Sequence, residues 1–121
     1  MTQAVRFQRH GGPEVLALGE VTVGEPGPGE VRLRHTAIGL NFIDVYHRTG
    51  LYPVPALPSG LGGEAAGVVE AVGAGVTDVA VGQRVGYATV PHGAYAEARL
   101  VPAERLIPLP DGIDDATTAA V

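Results

Sequence analysis

Glycine and proline punctuate the chain throughout: 18 Gly and 10 Pro stand among 121 residues, between apolar runs and with no fixed period. Proline removes a backbone donor and glycine weakens a helix interior, so long helices are excluded. What remains is a set of short strands joined by tight turns, neither collagen-like nor low in complexity. Hydrophobic residues make up 45% and charged residues 17%. That balance belongs to a globular chain, and this length suits one domain with one real core.

Several function classes drop out on composition. There is no Cys, which excludes disulfides, Cys-based zinc or iron–sulfur sites and a thiol nucleophile. The net charge is −5 and all eight cations are Arg, scattered along the chain. A binder of nucleic-acid phosphates needs clustered cations, so no nucleic-acid partner is expected. The N-terminus lacks the apolar core of a signal peptide. The longest uncharged stretch, Thr49 to Gly63, is too broken by Pro and Gly to span a membrane. A soluble, cytoplasmic protein is expected.

Periodicity sets the elements. Strands are expected over Ala4–Gln8, within Val15–Val23, and from Val31 through Ile38, this last with one apolar and one basic face. Pro26, Pro28 and their glycines make an exposed loop. From Asn41 the period changes, and Phe42, Val45, Tyr46 and Thr49 fall at helical spacing. Asn41 suits the N-cap, Asp44 the reciprocal capping position and Gly50 the C-terminal stop. An irregular loop over 51–63 follows. Further strands are expected over Glu64–Val72, Arg84–Ala88, Gly93–Val101 and Leu106–Ile107. A last helix is expected to start near Asp114 and to continue beyond Val121.

Chemistry-bearing residues are few, and each has a plain structural reading. Asn41, the only Asn, either caps the helix or offers an amide that both donates and accepts. Asp44 is either the capping carboxylate or a polar group in a pocket. Tyr46 and Tyr52 are either half-buried packing residues or a pair of flat faces with hydroxyls, suited to a quinoid ligand. Glu64 heads an apolar strand, where an unpaired carboxylate is costly, so it is either paired or exposed. Gly60, Gly62 and Gly63 lack the spacing of a phosphate cradle. His10, His35, His47 and His92 show no metal-ligand spacing, and no metal is expected. Ser59 lacks any nucleophile-elbow context.

Taken in order, the motifs resemble a known family. They run His10-Gly11-Gly12-Pro13-Glu14-Val15-Leu16, then Ala37 through Tyr46, then Arg48 through Pro53. Leu57 through Val69, Val81 through Val85, Gly93 through Glu97, and Leu109-Pro110-Asp111-Gly112 complete the series. The chain resembles the N-terminal domain of the medium-chain dehydrogenase/reductases, in their zinc-free, zeta-crystallin-like quinone oxidoreductase branch. The zinc-dependent alcohol dehydrogenases look similar, but carry Cys where this chain has Asn41 and His where it has Gly63. Their Cys-rich lobe would fall between Val85 and Gly93, a stretch too short for it here.

The resemblance implies a mainly β fold with short helices, a GroES-like, partly open β-barrel. It implies a catalytic domain over 1–112, with 113–121 opening the helix that leads to an absent Rossmann domain. The implied activity is NADPH-dependent reduction of a quinone or related small electrophile without zinc, by a homodimer in full length. The isolated 121 residues are then expected to be inactive. Asn41, Phe42, Ile43, Asp44, Val45 and Tyr46 match the segment that meets the nicotinamide. Tyr46 and Tyr52, with Asn41, match the catalytic positions. Enone reduction within the same superfamily, and a stand-alone GroES-like binding module, are the alternatives.

Overall fold

A computed structural model describes residues 2–52 and 54–120. Pro53, part of one quoted motif, and Val121, the end of the expected last helix, lie outside the described residues. Eight strands form two antiparallel sheets. The smaller has the order β2-β1-β4, from β1 (Thr2–Phe7), β2 (Leu16–Val21) and β4 (Ser59–Gly60). The larger has the order β7-β3-β5-β6-β8. It comprises β3 (Glu30–Ile38), β5 (Ala65–Val72), β6 (Arg84–Tyr87), β7 (Ala98–Pro102) and β8 (Ile107–Pro108). Two α-helices, α1 (Phe42–Thr49) and α2 (Asp115–Ala119), and two single 3-10 turns over Pro13–Val15 and Ala103–Arg105 make up the other regular elements among the described residues.

The sheets are stitched where residues 95–97 run past β1. Val5 N–H reaches the Tyr95 carbonyl at 2.8 Å, and Glu97 N–H reaches that of Gln3 at 2.9 Å. The sheets do not close further, so the barrel is partly open, as the resemblance implied. Two buried clusters fill it: Val31, Leu33, Val69, Val85 and Val101 inside the larger sheet, and Phe7, Val15, Val54 and Leu61 beneath the smaller.

β3 has the apolar and basic faces read from its alternation. Val31 and Leu33 are fully buried, while Arg32 pairs with Glu70 of the neighbouring β5 at 2.9 Å and with Glu25 at 3.1 Å. A polar chain crosses the barrel from the same strand. The Ala96 carbonyl accepts from His35 Nδ1 at 2.7 Å, which leaves Nε2 to accept from the Tyr87 hydroxyl at 2.9 Å. Burial, the largest cause, pushes the His35 imidazole below its usual range and the Tyr87 hydroxyl above its own. Arg99 lies 5.6 Å over the Tyr87 ring and donates to the Val90 carbonyl at 2.6 Å and the Pro91 carbonyl at 3.1 Å.

One expected strand is shorter in the structure. Gly93 to Glu97 does not extend the ladder, and β7 begins at Ala98. The N–H groups of Gly93, Ala94 and Tyr95 bond instead to the carbonyls of Gly62 and Leu61. A loop has captured donors that the sequence reading assigns to a strand. The two-residue β4 lies inside the Pro/Gly loop, too short for any period to show. α2 starts as expected: the Asp114 carboxylate caps Thr117 N–H at 2.7 Å, and Arg84 Nε anchors Asp115 at 3.0 Å.

β5 runs between β3 and β6 and needs a glycine at its centre. A Cβ on Gly67 would strike the Arg34 carbonyl oxygen and lie 3.1 Å from Leu33 Cγ. Gly67→Ala is therefore expected to lower stability by about 2 kcal/mol through overpacking. Gly19→Ala, on β2 with nothing within 4 Å, should change it by less than about 0.5 kcal/mol. Urea unfolding checks both, and equal losses contradict the packing argument.

Candidate active site

The site grows from the end of β3. Past Ile38 the chain leaves the sheet, with Gly39 N–H donating to the Glu64 carbonyl at 3.1 Å. Asn41 is extended (φ −132°, ψ 159°), and α1 begins after it. The Asp44 carboxylate reaches back to accept Asn41 N–H at 3.0 Å. Asp44 is only 3% exposed and also accepts the Tyr95 hydroxyl at 2.7 Å. A buried carboxylate needs such donors, and both of these reach the same oxygen, Oδ2. Burial first, then the Asp44 bond, pushes the Tyr95 hydroxyl well above the usual phenol range.

Asn41 holds the N-cap position, and its side-chain nitrogen is directed elsewhere. Nδ2 donates to Glu64 Oε1 at 2.8 Å. The choice left open for Glu64 is thereby resolved as pairing. At the other end of the helix Gly50 adopts φ +89°, and its N–H donates to the Tyr46 carbonyl at 3.1 Å. That left-handed turn brings the chain back, so Tyr52 N–H meets the same carbonyl at 3.2 Å. The Tyr46 and Tyr52 rings then lie 5.4 Å apart, edge to face at 85°. Both are exposed, and neither hydroxyl has a hydrogen-bond partner among the described residues.

α1 is amphipathic, but the face it packs is not the apolar one. Phe42 is 82% exposed; Ile43, Tyr46 and Thr49 are exposed with it. The packed side carries Asp44, with Val45, His47 and Arg48 half-buried. His47 meets His92 with ring centroids 4.8 Å apart, and Arg48 Nε donates to the Gly11 carbonyl at 3.2 Å. Burial, then His47 and Arg99, lowers the His92 imidazole below its usual range. A helix that buries polar groups on partners and turns its apolar stripe outward marks a surface made for contact. Leu40, 78% exposed, extends that surface toward Ile38. Beside it a groove of about 290 Å³ is lined by Ile38, Leu40, Asn41, Glu64, Ala116 and Ala119.

The structure thus leaves Asn41, Phe42, Ile43, Tyr46 and Tyr52 all exposed and brings the Tyr46 and Tyr52 rings together. It keeps the Asp44 carboxylate inside and Val45 half-buried. Sequence reasoning missed Tyr95 and the partner of Glu64. No spacing signal links Tyr95 to Asp44, 51 residues away, or Glu64 to Asn41, 23 residues away. Among the described residues, no group of three or more His, Asp or Glu side chains is placed to hold a metal ion.

The profile of the alcohol dehydrogenase GroES-like domain family matches residues 27–111. The chain belongs to this family. Within it the similarity runs to quinone oxidoreductases. One from Pseudomonas aeruginosa is 58% identical over 121 residues, all of this chain and 37% of that protein. A 2-haloacrylate reductase from a Burkholderia species is 52% identical over 118 residues, 94% of this chain and 35% of that one. The solved Escherichia coli quinone oxidoreductase complexed with NADPH superposes with a TM-score of 0.94 at 46% identity, covering 98% of this chain and 36% of that chain. The chain spans little more than a third of the length of these relatives.

Removing the Tyr95 hydroxyl leaves the buried Asp44 carboxylate one donor short. Tyr95→Phe should cost about 1.5–3 kcal/mol near neutral pH, the range for a hydrogen bond to a charged group. The folded state holds the Tyr95 proton beyond the ordinary phenol value of about 10. Its contribution is therefore full below pH ~10 and is lost as pH rises above it. Urea unfolding at neutral and strongly alkaline pH should show a smaller alkaline loss in the variant, with the Tyr87 part remaining. An unchanged alkaline loss contradicts the assignment.

Proposed function

We propose that this domain is the substrate-facing part of an NADPH-dependent quinone oxidoreductase that works without zinc. The observation that carries the reading is the outward apolar stripe of α1, joined by the Tyr46–Tyr52 pair and flanked by the Asn41 amide. The relatives support it, since two quinone oxidoreductases and a reductase share this domain at 46–58% identity. We read 1–112 as the catalytic domain and 113–121 as the start of a helix leading into a nucleotide-binding domain. The greater length of the relatives supports that division.

A nicotinamide has flat apolar faces and one carboxamide edge. Phe42 and Ile43 offer exposed apolar surface and Asn41 offers an amide, so the residues present fit the group. The Asp44 carboxylate is turned inward, so no bare charge from it lies against a ligand. When bound, NADPH supplies a hydride. The chain's own part is to orient and to exclude water: Phe42, Ile43 and Leu40 cover the reacting faces once a cleft closes over them. Reduction places negative charge on a quinone oxygen. With no metal to take it up, the unpartnered Tyr46 and Tyr52 hydroxyls donate to that oxygen. Asn41, Phe42, Ile43 and Tyr46 face the cofactor, and Asp44 and Val45 act from behind as the helix's attachment.

The reading includes a cytoplasmic homodimer with neither nucleic acid nor membrane as partner. Three of its eight arginines, Arg32, Arg34 and Arg84, are tied to carboxylates, and no helix among the described residues is long and apolar enough to cross a membrane. A second reading, reduction of an electron-poor alkene, draws on the likeness to the 2-haloacrylate reductase. The same hydroxyls would then take up charge on an activating carbonyl.

The test follows NADPH absorbance with a naphthoquinone, on the protein in its full natural length. Tyr46→Phe and Tyr52→Phe should each lower kcat/KM by about tenfold or more, the loss expected for one charge-stabilising hydrogen bond. Thermal midpoints should stay near wild type. Unchanged rates in the double variant would remove both hydroxyls from the mechanism. The isolated 121 residues should oxidise no NADPH.

A further inference from the structure

We infer that Arg48 is a positioning residue: with the His10–Gly11 turn it clamps the C-terminal end of α1 and so sets how the Tyr46 and Tyr52 hydroxyls are offered to one reducible carbonyl oxygen. What the two hydroxyls bind rests on the function proposed above; the clamp rests on contacts within the chain. A helix leaves its last carbonyls without partners inside the helix. In α1 the Arg48 carbonyl accepts the Gly11 N–H at 3.0 Å, and the Arg48 side chain donates Nε to the Gly11 carbonyl at 3.2 Å. One residue of a distant turn thus holds Arg48 at two points, through its main chain and through its side chain.

The turn that does this is anchored in the core. Phe7 precedes it, buried, with its ring centroid 6.1 Å from that of His10. Val15 follows it, also buried, and donates its N–H to the Gly12 carbonyl at 3.1 Å. Gly11 has no room for a side chain, since a Cβ there would lie 2.8 Å from Val15 Cγ1. The His10 ring reaches the far side of the clamp. A Cβ on Gly50 would lie 3.1 Å from His10 Cγ, so the imidazole covers the left-handed residue that reverses the chain after α1. His10-Gly11-Gly12-Pro13 therefore does more than turn the chain between β1 and β2.

Tyr52 depends on that reversal. Its N–H and that of Gly50 share the Tyr46 carbonyl, at 3.2 Å and 3.1 Å, and the two rings meet across the returned chain, 5.4 Å apart and edge to face. The start of α1 has its own attachment, Asp44 between the Asn41 N–H and the Tyr95 hydroxyl. Loosening the end at Arg48 should therefore disturb the tyrosine pair and leave the start of the helix in place. Two hydroxyls that serve one oxygen tolerate little displacement, because hydrogen bonds weaken steeply as their geometry degrades and small misplacements cost rate.

Arg48→Met and Arg48→Gln separate the bond from the charge. Both remove the guanidinium and keep a stem of the same length, but only Gln carries a nitrogen at the place of Nε that can donate to the Gly11 carbonyl. On the protein in full natural length, Arg48→Met should lower kcat/KM for a naphthoquinone about tenfold, with the Kd for NADPH within about twofold of wild type. Arg48→Gln should recover most of the loss. The pair itself is read by ¹⁹F NMR on the same protein grown with 3-fluorotyrosine, the Tyr52 signal being assigned by its loss in Tyr52→Phe. That signal should move in Arg48→Met and stay in place in Arg48→Gln. His10→Ala uncovers Gly50 without touching either Arg48 bond; it should move the signal too, and it serves if Arg48→Met does not fold. An equal fall in kcat/KM in the Met and Gln variants overturns the positioning role. So does a Tyr52 signal unmoved in Arg48→Met and His10→Ala. A signal that moves as expected while quinone turnover stays unchanged upholds the clamp and sinks the tyrosines' part in the proposed function instead.

Discussion

A single buried carboxylate holds the site face to the barrel. Asp44 accepts from Asn41 N–H and from the Tyr95 hydroxyl, and it is almost wholly out of water. Burying such a charge alone would be prohibitive, so the two donors are a condition of the fold in this region. One belongs to the start of α1. The other belongs to the segment over 95–97 that ties the two sheets together. The same group that begins the helix therefore fixes it to the structural seam of the barrel. With α1 placed, Gly50 turns the chain back and Tyr52 comes to rest against Tyr46.

This attachment frees the apolar side of the helix. In most surface helices the apolar stripe packs and the polar face meets water. In α1 hydrogen bonds and half-buried polar side chains do the packing, so Phe42 and Tyr46 remain available to a ligand. Leu40 and Ile38 continue the exposed surface along the end of β3. An exposed apolar surface of this extent on a helix held from behind is the kind that marks a contact site. The fold supplies rigidity from behind, and the chemistry sits in side chains that the core does not need.

Much of this was legible before any coordinates. Alternation marks β1 and β3, richness in Val and Ala marks β5, and capping residues mark both ends of α1 and the start of α2. Period showed that Phe42, Tyr46 and Thr49 share a face. It could not show which face packs, because that depends on Tyr95 reaching Asp44 from far along the chain. The strand expected over Gly93–Val101 is shorter because loop carbonyls at 61 and 62 capture the donors of Gly93, Ala94 and Tyr95. Capping preference pointed to Asn41 and Asp44 as the reciprocal pair that opens α1, and the structure has that capping box; what local pattern does not carry is the bond from the Asn41 side-chain nitrogen to Glu64, a long-range partner. Residue chemistry offers Tyr46 and Tyr52 as packing residues or ligand faces, and the resemblance rather than spacing points to the second. The structure adds that their rings meet and that their hydroxyls are without partners among the described residues.

The central claim is that the outward face of α1 receives a nicotinamide and a reducible carbonyl in one fixed arrangement. A crystal structure of the protein in full natural length, with NADPH and a bound quinone, tests it most directly. The account predicts the nicotinamide against Phe42 and Ile43, and the quinone oxygen within hydrogen-bond reach of Tyr46 or Tyr52. A nicotinamide bound away from α1, or a quinone whose oxygens meet neither tyrosine, would contradict it.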